Sequence, residues 1–336
     1  MDDLLYKLLI LRSPKIGPVK YNNLIVEYGD VYSVVDSLNL SQDFIDSVKR
    51  EIDMANELGI KYITDKDSNY PDNLLNVKNH PPVISVRGNL ETLKKKTVSM
   101  VGTRHATVAG MNFMSDLAYE FAEHGFAVVS GMAMGTDTAA HIGALKSNGN
   151  SQTIAVLGGG VDNIWPLENE SIYYQIMERG CLISEMPVGA KPIANNFIQR
   201  NHWIAAMSDI LIVGEADMKS GSMSTARFAI DYKKRVFAVP GHPSDARSMG
   251  PNYLIKNGLA TLCMSVNDFF GDSKNTINKK NVVPSNDILD KLGIIPVSES
   301  VLANLVKKTV AEIRTDLVML ELQGMVRKID GGYVLN

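Results

Sequence analysis

The stretch TIAVLGGGVDNIWPLEN, from Thr153 to Asn169, joins a short apolar run to three consecutive glycines. The run TIAVL has the composition of a buried β-strand, and Gly158, Gly159 and Gly160 follow it directly. Backbone N–H groups at the end of such a strand can bind phosphate, and glycines leave them uncovered. A tight turn that only glycine can form is the simpler explanation. The neighbouring loops must decide between a ligand site and a turn.

Four more apolar runs of the same kind surround this stretch. Helical patterns over 109–124, 137–148 and 222–233 alternate with the runs TVSMV (97–101), FAVVS (126–130), DILIV (209–213) and RVFAV (235–239). Alternation of short strands with helices is typical of βαβ units around a parallel sheet that has helices on both faces. The sequence therefore predicts an α/β fold, an extended Rossmann-like doubly wound sheet.

Each of the five runs ends in a loop of small residues. In such a sheet these loops gather at the carboxyl edge of the strands, where ligands bind. The loops contain, in chain order, Gly102, Ser130-Gly131, Gly158 to Gly160, Gly214 and Pro240-Gly241. Five converging loops indicate a binding crevice more strongly than five unrelated turns.

Motifs of the common nucleotide enzymes and hydrolases are missing from these loops. The sequence has no GxxxxGK[ST], no complete GxGxxG and no GxSxG, and its six histidines are scattered without metal-ligand spacing. His141 is interpreted as a packed residue and not as a base. We therefore expect a protein that is not an enzyme and that uses neither a cofactor nor a metal.

Composition sets further limits on the class of protein. The 336 residues suit two or three domains, and 45% hydrophobic residues are enough for a sizeable core. Because the formal charge is −3, any contact with nucleic acid must come from a local patch. Two cysteines, Cys181 and Cys263, do not make a disulfide framework. A chain with only two cysteines, both inside apolar segments, fits the reduced cytosol, so we expect a cytoplasmic protein. No run of about 18 apolar residues occurs, and MDDLLYKLLILR is predicted to be an amphipathic helix, so we expect no membrane contact.

Polar residues in the loops suit phosphate and base contacts. Arg104 follows a strand end, where a guanidinium can hold a phosphate in bidentate fashion. FIQRNHW places Phe197 close to Arg200 and Asn201, a combination that single-stranded nucleic acid uses, although a core Phe beside a surface Arg would also explain it. KSGSMSTA starts a helix whose N–H groups attract an anion, with Lys219, Ser220, Gly221, Ser222 and Thr225.

The order of these motifs resembles the DprA/Smf family, DNA processing protein A. Over about 65 to 262 the matching blocks are VGTRHATVAG, SGMAMGTDTAAH, TIAVLGGGVDNIWPLEN, SEMP, FIQRN, GEADMKSGSMSTA, RVFAVPGH and GPNYLIKNGLA. The resemblance implies an extended Rossmann domain that binds single-stranded DNA and loads the RecA recombinase during natural transformation. It also implies that the glycine loops admit the DNA backbone close to the main chain, and we expect a homodimer.

The resemblance is carried to this chain residue by residue. The implied DNA-binding residues are Gly102, Thr103, Arg104, Thr107, Gly131, Gly135, Gly158, Gly159, Gly160, Asp162, Phe197, Arg200, Asn201, Lys219, Ser220, Gly221, Ser222 and Thr225. This chain departs from the usual family pattern at Thr103, where Ser is common, and at Thr136 and Trp165, where Ile and Tyr are common. Ile198 replaces a proline, and His202 replaces an arginine, which weakens a cation at pH 7.

Two smaller modules are predicted on either side of the central domain at 67–270. Residues 1–66 resemble a helical module of the SAM or helix-hairpin-helix type, and either DNA binding or mere packing would explain it. A polar linker is expected at 271–285. Residues 286–336 resemble a winged helix, with a turn at Asp330-Gly331-Gly332. Its presumed recognition helix has acids, Glu312, Asp316 and Glu321, against Arg314, so protein contact is at least as well supported as groove reading.

One alternative from another class is a nucleotide-handling enzyme. The lysine-decarboxylase-like phosphoribohydrolases use a similar crevice on free nucleotides. They carry a PGGxGTxxE signature that supplies the catalytic acid, whereas this chain has SGSMSTA and no acid at the matching end. This difference favours the single-strand DNA binder.

Overall fold

The computed structural model describes residues 2–147, 153–270, 288–292, 296–322, 325–329 and 331–335. The chain forms two compact units, Met1–Gly271 and Asp272–Asn336. The predicted linker at 271–285 lies outside the described residues.

The first unit is built on one mixed sheet. Its strands are β1 (Lys61–Thr64), β2 (Val83–Gly88), β3 (Thr97–Val101), β4 (Ala127–Ser130), β5 (Thr153–Val156), β6 (Cys181–Ser184), β7 (Ile210–Val213), β8 (Arg235–Ala238) and β9 (Thr261–Leu262). The strand order is β1-β2-β6-β5-β4-β3-β7-β8-β9. All neighbours from β6 to β9 are parallel, while β2 pairs antiparallel with both β1 and β6. The five predicted strands are confirmed as parallel members of this sheet.

Helices cover both faces of the sheet, which confirms the predicted doubly wound α/β class. In the first unit they are α1 (Asp2–Arg12), α2 (Pro18–Tyr28), α3 (Val31–Ser37), α4 (Gln42–Glu57), α5 (Asp72–Leu75), α6 (Val108–Glu123), α7 (Thr136–Lys146), α8 (Glu170–Arg179), α9 (Ala194–Ala206), α10 (Gly221–Asp231), α11 (Met249–Lys256) and α12 (Asn267–Phe270). The three predicted helices of the central domain correspond to α6, α7 and α10.

Alternate side chains of each central strand enter opposite core layers, as the period of a strand requires. Val98 and Met100 of β3 pack with Leu117 and Phe121 of α6 in one layer. Val101 faces the other layer, which includes residues of α9 and α10. Since both layers are apolar, the strands are buried on both faces and only their ends are open to ligands.

The N-terminal helices pack directly against the sheet domain. Leu8 and Leu9 of α1 share an apolar cluster with Val83 at the start of β2. Arg12 forms a salt bridge of 2.8 Å with Glu51, which fixes α1 against α4. β1 lies within the stretch predicted to be wholly helical, and it extends the sheet by pairing with β2. Four residues, KYIT, are too short a pattern to mark a strand in the sequence.

The second unit contains α13 (Glu299–Val306), α14 (Val310–Leu322), β10 (Val326–Ile329) and β11 (Gly332–Leu335). β10 and β11 form an antiparallel pair, and Val297 bridges to Tyr333. Leu302, Ile313 and Leu317 form its apolar core with Tyr333. The winged-helix assignment stays a prediction, and Asp330 of the predicted turn lies outside the described residues. Among the described helices of the whole chain, none has the length and apolarity that a membrane span needs.

Candidate nucleic-acid interface

The two halves of the parallel sheet diverge between β3 and β7. From β3 the chain continues through β4, β5 and β6 to one side, and β7, β8 and β9 lie on the other. Ligands of doubly wound sheets bind at the carboxyl ends of the strands at this switch point. A cavity of about 340 Å³ lies there, and we call it the crevice. Its lining includes Gly102, Thr103, Arg104, Asp137, Phe197, Arg200, Asn201, Ser220, Gly221, Ser222 and Thr225.

Arg104 and Phe197 line the outer part of the crevice, and the ring of Trp165 lies beside them. Arg104 is exposed, and its guanidinium carbon lies 5.4 Å from the Trp165 ring centroid and 5.7 Å from that of Phe197. The two rings are half-buried, with centroids 4.5 Å apart and a 45° angle between their planes. Cation and ring faces at this distance attract one another and present both charge and a flat apolar surface to a ligand. The contribution of Trp165 was not predicted, because the residue lies well beyond the glycine loop.

Arg200, by contrast, is buried beneath the crevice, with 5% of its surface exposed. It donates hydrogen bonds to the carbonyl oxygens of Val156, at 2.9 Å, and Gly131. A Cβ added at Gly131 would lie 1.9 Å from the Arg200 guanidinium, so only glycine leaves room for it. Arg200 therefore ties the ends of β4 and β5 to α9 and is a positioning residue before it is a ligand contact.

A buried carboxylate balances the charge of Arg200. Asp137, which is 6% exposed, accepts hydrogen bonds from the backbone N–H groups of Gly131 and Ala133. Burial raises the pKa of Asp137, and the charge of Arg200 opposes that shift. Burial lowers the pKa of Arg200 to about 10, which leaves it charged at neutral pH. The Nε of Arg200 has no hydrogen-bond partner among the described residues, so one buried donor remains for a ligand.

The N-terminus of α10 forms the inner wall. Ser220 precedes the helix without capping it, and its buried hydroxyl has no hydrogen-bond partner in the described part of the chain. Ser222 instead donates to the carbonyl oxygen of Gly102 at 2.6 Å, and Thr225 donates to that of Gly221 at 3.2 Å. Because uncapped N–H groups and the helix dipole favour an anion, this end of α10 is suited to a phosphate.

Asn201 and Lys219 lie at the rim of this wall. The Asn201 amide donates to the carbonyl oxygen of Gly221 at 3.4 Å, which joins α9 to α10. Lys219 is exposed, and only its backbone N–H is engaged, with Asp217 at 3.0 Å. Its side chain forms no salt bridge within the described residues and can reach a phosphate outside the crevice.

Two glycines let the β3 loop approach α7 closely. A Cβ on Gly102 would lie 2.3 Å from the hydroxyl of Thr136, and one on Gly135 would lie 2.4 Å from the carbonyl oxygen of Thr103. Gly135 also has φ of +76°, a conformation that other residues rarely adopt. Both glycines thus set the position of the loop that carries Thr103 and Arg104.

Thr107 has a structural partner in place of a ligand. Its hydroxyl caps α6 by accepting from the N–H of Gly110 at 2.9 Å. The Thr107 hydroxyl and backbone N–H also donate to the Glu215 carboxylate, at 2.5 and 2.7 Å. These contacts join the loops after β3 and β7 across the switch point, and they leave Thr107 outside the crevice lining.

The three consecutive glycines differ from the expectation that their backbone faces a ligand. Gly158, Gly159 and Gly160 are all buried. Gly160 donates to the carbonyl oxygen of Ala190 at 2.9 Å, and a Cβ on it would lie 2.6 Å from the carbonyl oxygen of Pro187. A Cβ on Gly158 would lie 3.0 Å from the Phe197 ring. Close packing under Phe197 and the segment 187–192 is thus the physical reason for these glycines.

Two further polar residues singled out in the sequence also make contacts within the protein. Asp162 accepts the N–H of Gly189 with both carboxylate oxygens, at 2.9 and 3.0 Å, and holds the same segment. His202 turns away from the crevice, where its ring stacks on Phe228 at 3.4 Å and bonds to the Tyr232 hydroxyl. Burial lowers the pKa of His202, so the histidine is neutral at pH 7. His141 is fully buried against Thr153, which agrees with its interpretation as a packed residue.

The fold and this crevice define a Rossmann-like protein with an anion-attracting site at the switch point of its sheet. The family model of DNA recombination-mediator protein A matches residues 61–274, and the chain belongs to this family. By its description the family is one of recombination mediators. Protein Smf of Synechocystis is 37% identical over 206 residues, which are 60% of this chain and 51% of that one. The chain thus spans about half the length of this relative.

Solved structures of two relatives share the fold. DNA processing protein A of Streptococcus pneumoniae is 29% identical, with a TM-score of 0.67 over 80% of this chain and 97% of that one. DNA processing protein A of Helicobacter pylori, whose structure is described for its single-stranded DNA binding mode, is 32% identical. Its TM-score is 0.57 over 62% of this chain and 94% of that one. The predicted resemblance to the DprA/Smf family is confirmed.

Proposed function

We propose that this protein binds single-stranded DNA in the crevice and delivers it to the RecA recombinase. The observation that carries the proposal is the convergence of three features at one switch point. They are the exposed guanidinium of Arg104, the paired rings of Trp165 and Phe197, and the uncapped N-terminus of α10. Membership of a family of recombination mediators and the single-stranded DNA binding of the Helicobacter pylori relative support it.

The predicted residues divide into two groups under this proposal. One group contacts DNA: Arg104 and Lys219 bind phosphates, Phe197 stacks with a base, and the end of α10 from Ser220 to Ser222 accepts a phosphate. The other group shapes the crevice and consists of Gly102, Thr103, Thr107, Gly131, Gly135, Gly158, Gly159, Gly160, Asp162, Asn201 and Thr225. Arg200 belongs to both groups, because its Nε has no protein partner among the described residues while its Nη1 donates to two backbone carbonyl oxygens.

The ring pair favours single strands over duplex. A base can stack on a protein ring only when the face of that base is not already stacked on neighbouring bases. This requires an unpaired, flexible strand. Because stacking and phosphate contacts do not read base edges, binding is expected to tolerate sequence. The alternative of a nucleotide-handling enzyme has less support, because Asp137, the acid that lines the crevice, is buried and engaged by Gly131 and Ala133.

Binding to single strands is expected to exceed binding to duplex of the same length and to weaken as salt rises. Each phosphate contact contributes roughly 0.7 to the slope of log affinity against log salt for single strands. Fluorescence anisotropy with labelled oligonucleotides, duplex and free nucleotides measures this directly. Equal affinity for duplex, or preferential binding and turnover of a free nucleotide, would overturn the proposal.

The second unit is expected to contribute little to this affinity. In α14, Glu312 and Asp316 stand beside Arg314, which is already paired with Glu299 at 2.7 Å. A chain ending at Gly271 retains the whole first compact unit and the crevice, so it should keep most of its single-strand affinity. A hundredfold loss in this truncation, at about 2.7 kcal/mol, would assign a principal DNA site to the predicted winged helix.

Delivery to RecA and a homodimer complete the proposal. Sedimentation of the full chain tests the dimer, and a filament-assembly assay on single-stranded DNA coated with single-strand binding protein tests delivery. The proposed role requires that Arg104→Ala weaken filament assembly in the same proportion as DNA affinity. Unchanged assembly by a variant that no longer binds DNA would separate the two activities.

A further inference from the structure

Two runs of three consecutive basic residues lie at the amino edge of the sheet, opposite the crevice. Lys94-Lys95-Lys96 immediately precedes β3, and Lys233-Lys234-Arg235 leads into β8. Because β3, β7 and β8 are parallel neighbours, the two runs meet at one edge. A groove of about 570 Å³ lies between them, and we call it the basic groove. Its lining includes Asn73, Lys94, Lys96, Phe126, Arg235 and Phe270.

Positive charge predominates in the basic groove. Four basic residues line it, Lys94, Lys95, Lys96 and Arg235, against two acids, Asp72 and Asp209. Lys94 is paired with Glu91 at 3.0 Å. Asp209 is engaged by Lys234 at 3.3 Å. Lys96 and Arg235 are exposed, and their side chains form no salt bridge with any described residue. Because cations outnumber acids here, this edge of the sheet is attractive to an anionic ligand.

Aromatic side chains stand beside these cations. Phe126 and Phe270 are partly exposed and line the same groove. Their rings lie 5.7 Å apart at an angle of 55°. Phe270 also stacks on the His124 ring, with centroids 4.6 Å apart and planes 13° apart, so Phe126 is the better placed of the two rings for a base. Cations beside a partly exposed ring are a combination by which proteins hold single strands, through phosphate contacts and base stacking. In a chain of net charge −3, such a patch is the kind of local feature that nucleic-acid binding requires.

We propose that the basic groove is a second binding site for single-stranded DNA, at the opposite end of the strands from the crevice. Lys96 and Arg235 contact phosphates, and the ring of Phe126 contacts a base. The site does not depend on the crevice, since the two share no residues. It gives each chain two places to hold a single strand.

Lysine footprinting of the full chain tests the site without any variant. The probe is an oligothymidylate of about 20 nucleotides, longer than the roughly 4–16 nucleotides that one single-strand site covers. Lys96 is expected to be protected from acetylation when the oligonucleotide is bound, whereas Lys20 and Lys256, which are exposed elsewhere, remain reactive. An equally reactive Lys96 with and without DNA would overturn the proposal, and so would protection only by duplex.

Charge reversal supplies a second readout with a matched control. The double variant Lys96→Glu/Arg235→Glu is compared with Lys20→Glu/Lys256→Glu, which changes the net charge by the same amount. Removal of two phosphate contacts should lower the salt slope by about 1.4 and weaken low-salt affinity about tenfold. The same affinity in both double variants would overturn the proposal. Failure of the crevice would be seen separately, as normal binding by Arg104→Ala.

Discussion

Replacing Arg200 with alanine is expected to destabilise the protein by about 3–5 kcal/mol, because the buried carboxylate of Asp137 loses the charge that compensates it. The substitution leaves the Asp137 carboxylate buried, with the backbone N–H groups of Gly131 and Ala133, at 3.1 and 3.4 Å, among its remaining donors. It also removes the donors of the carbonyl oxygens of Gly131 and Val156. Thermal unfolding should show a melting temperature lower by on the order of 10 °C.

The pH dependence of the stability of Arg200→Ala tests whether the uncompensated charge of Asp137 causes the destabilisation. Burial already raises the pKa of Asp137 while Arg200 is present, and loss of the cation must raise it further. A carboxyl whose folded pKa is raised favours the folded state below its unfolded pKa of about 3.9, and this advantage is lost as pH rises toward the folded pKa. The difference in the free energy of unfolding between variant and wild type should therefore become smaller as the pH is lowered toward 4.

Two control variants separate this explanation from a general loss of packing. Arg227→Ala removes an exposed arginine of α10 and should change stability by no more than about 0.5 kcal/mol. Arg200→Met with Asp137→Asn removes both buried charges and should recover much of the loss. If Arg200→Ala melts like Arg227→Ala, or if the double variant melts no higher than Arg200→Ala, the proposed charge balance is wrong.

The order of strands and loops could be predicted because each central strand carries its own signal. TVSMV and DILIV are apolar on both faces, and each is followed by a glycine loop, so their place in a parallel sheet follows from sequence. β1, β2, β6 and β9 were not predicted. The runs KYIT, CLIS and TL are so short that the same residues could equally form a loop. Their pairing with neighbouring strands makes them part of the sheet.

The location of the candidate site could be predicted from the sequence, but the roles of its individual residues could be predicted less well. Arg104 was assigned to the crevice because it follows a strand end. Phe197 was assigned to it because an aromatic residue beside Arg200 and Asn201 suits a single strand, and both residues line the crevice. The sequence could not separate Arg200, buried under the loops, from Arg104 on the surface, because residue type alone does not determine burial. That distinction depends on three-dimensional contacts with Gly131 and Asp137. The burial of Gly158 to Gly160 likewise depends on the segment 187–192, which is distant in sequence.

Phe197 should provide much of the single-strand affinity through stacking. Its ring packs on Trp165, is half-buried and lines the crevice, so part of the ring is accessible to a base. Phe197→Ala is expected to weaken binding by about 1–3 kcal/mol and to leave the salt slope nearly unchanged. Arg104→Ala should instead lower the salt slope by about 0.7 for each phosphate that the arginine binds. Anisotropy titrations at several salt concentrations distinguish the two effects.

Packing and stacking by Phe197 are separated by a volume-preserving variant. Phe197 contributes to the protein interior as well, because the ring packs on Trp165 and lies over Gly158. Phe197→Leu keeps an apolar side chain there and should cost less than about 1.5 kcal/mol of stability, yet it cannot stack on a base. Tyr174→Ala, which removes an exposed ring of α8, serves as the control and should bind normally. If Phe197→Leu binds DNA like the wild type while Phe197→Ala only lowers the melting temperature, Phe197 is a packing residue. The phosphate contacts of Arg104, Lys219 and α10 would then have to account for the affinity alone.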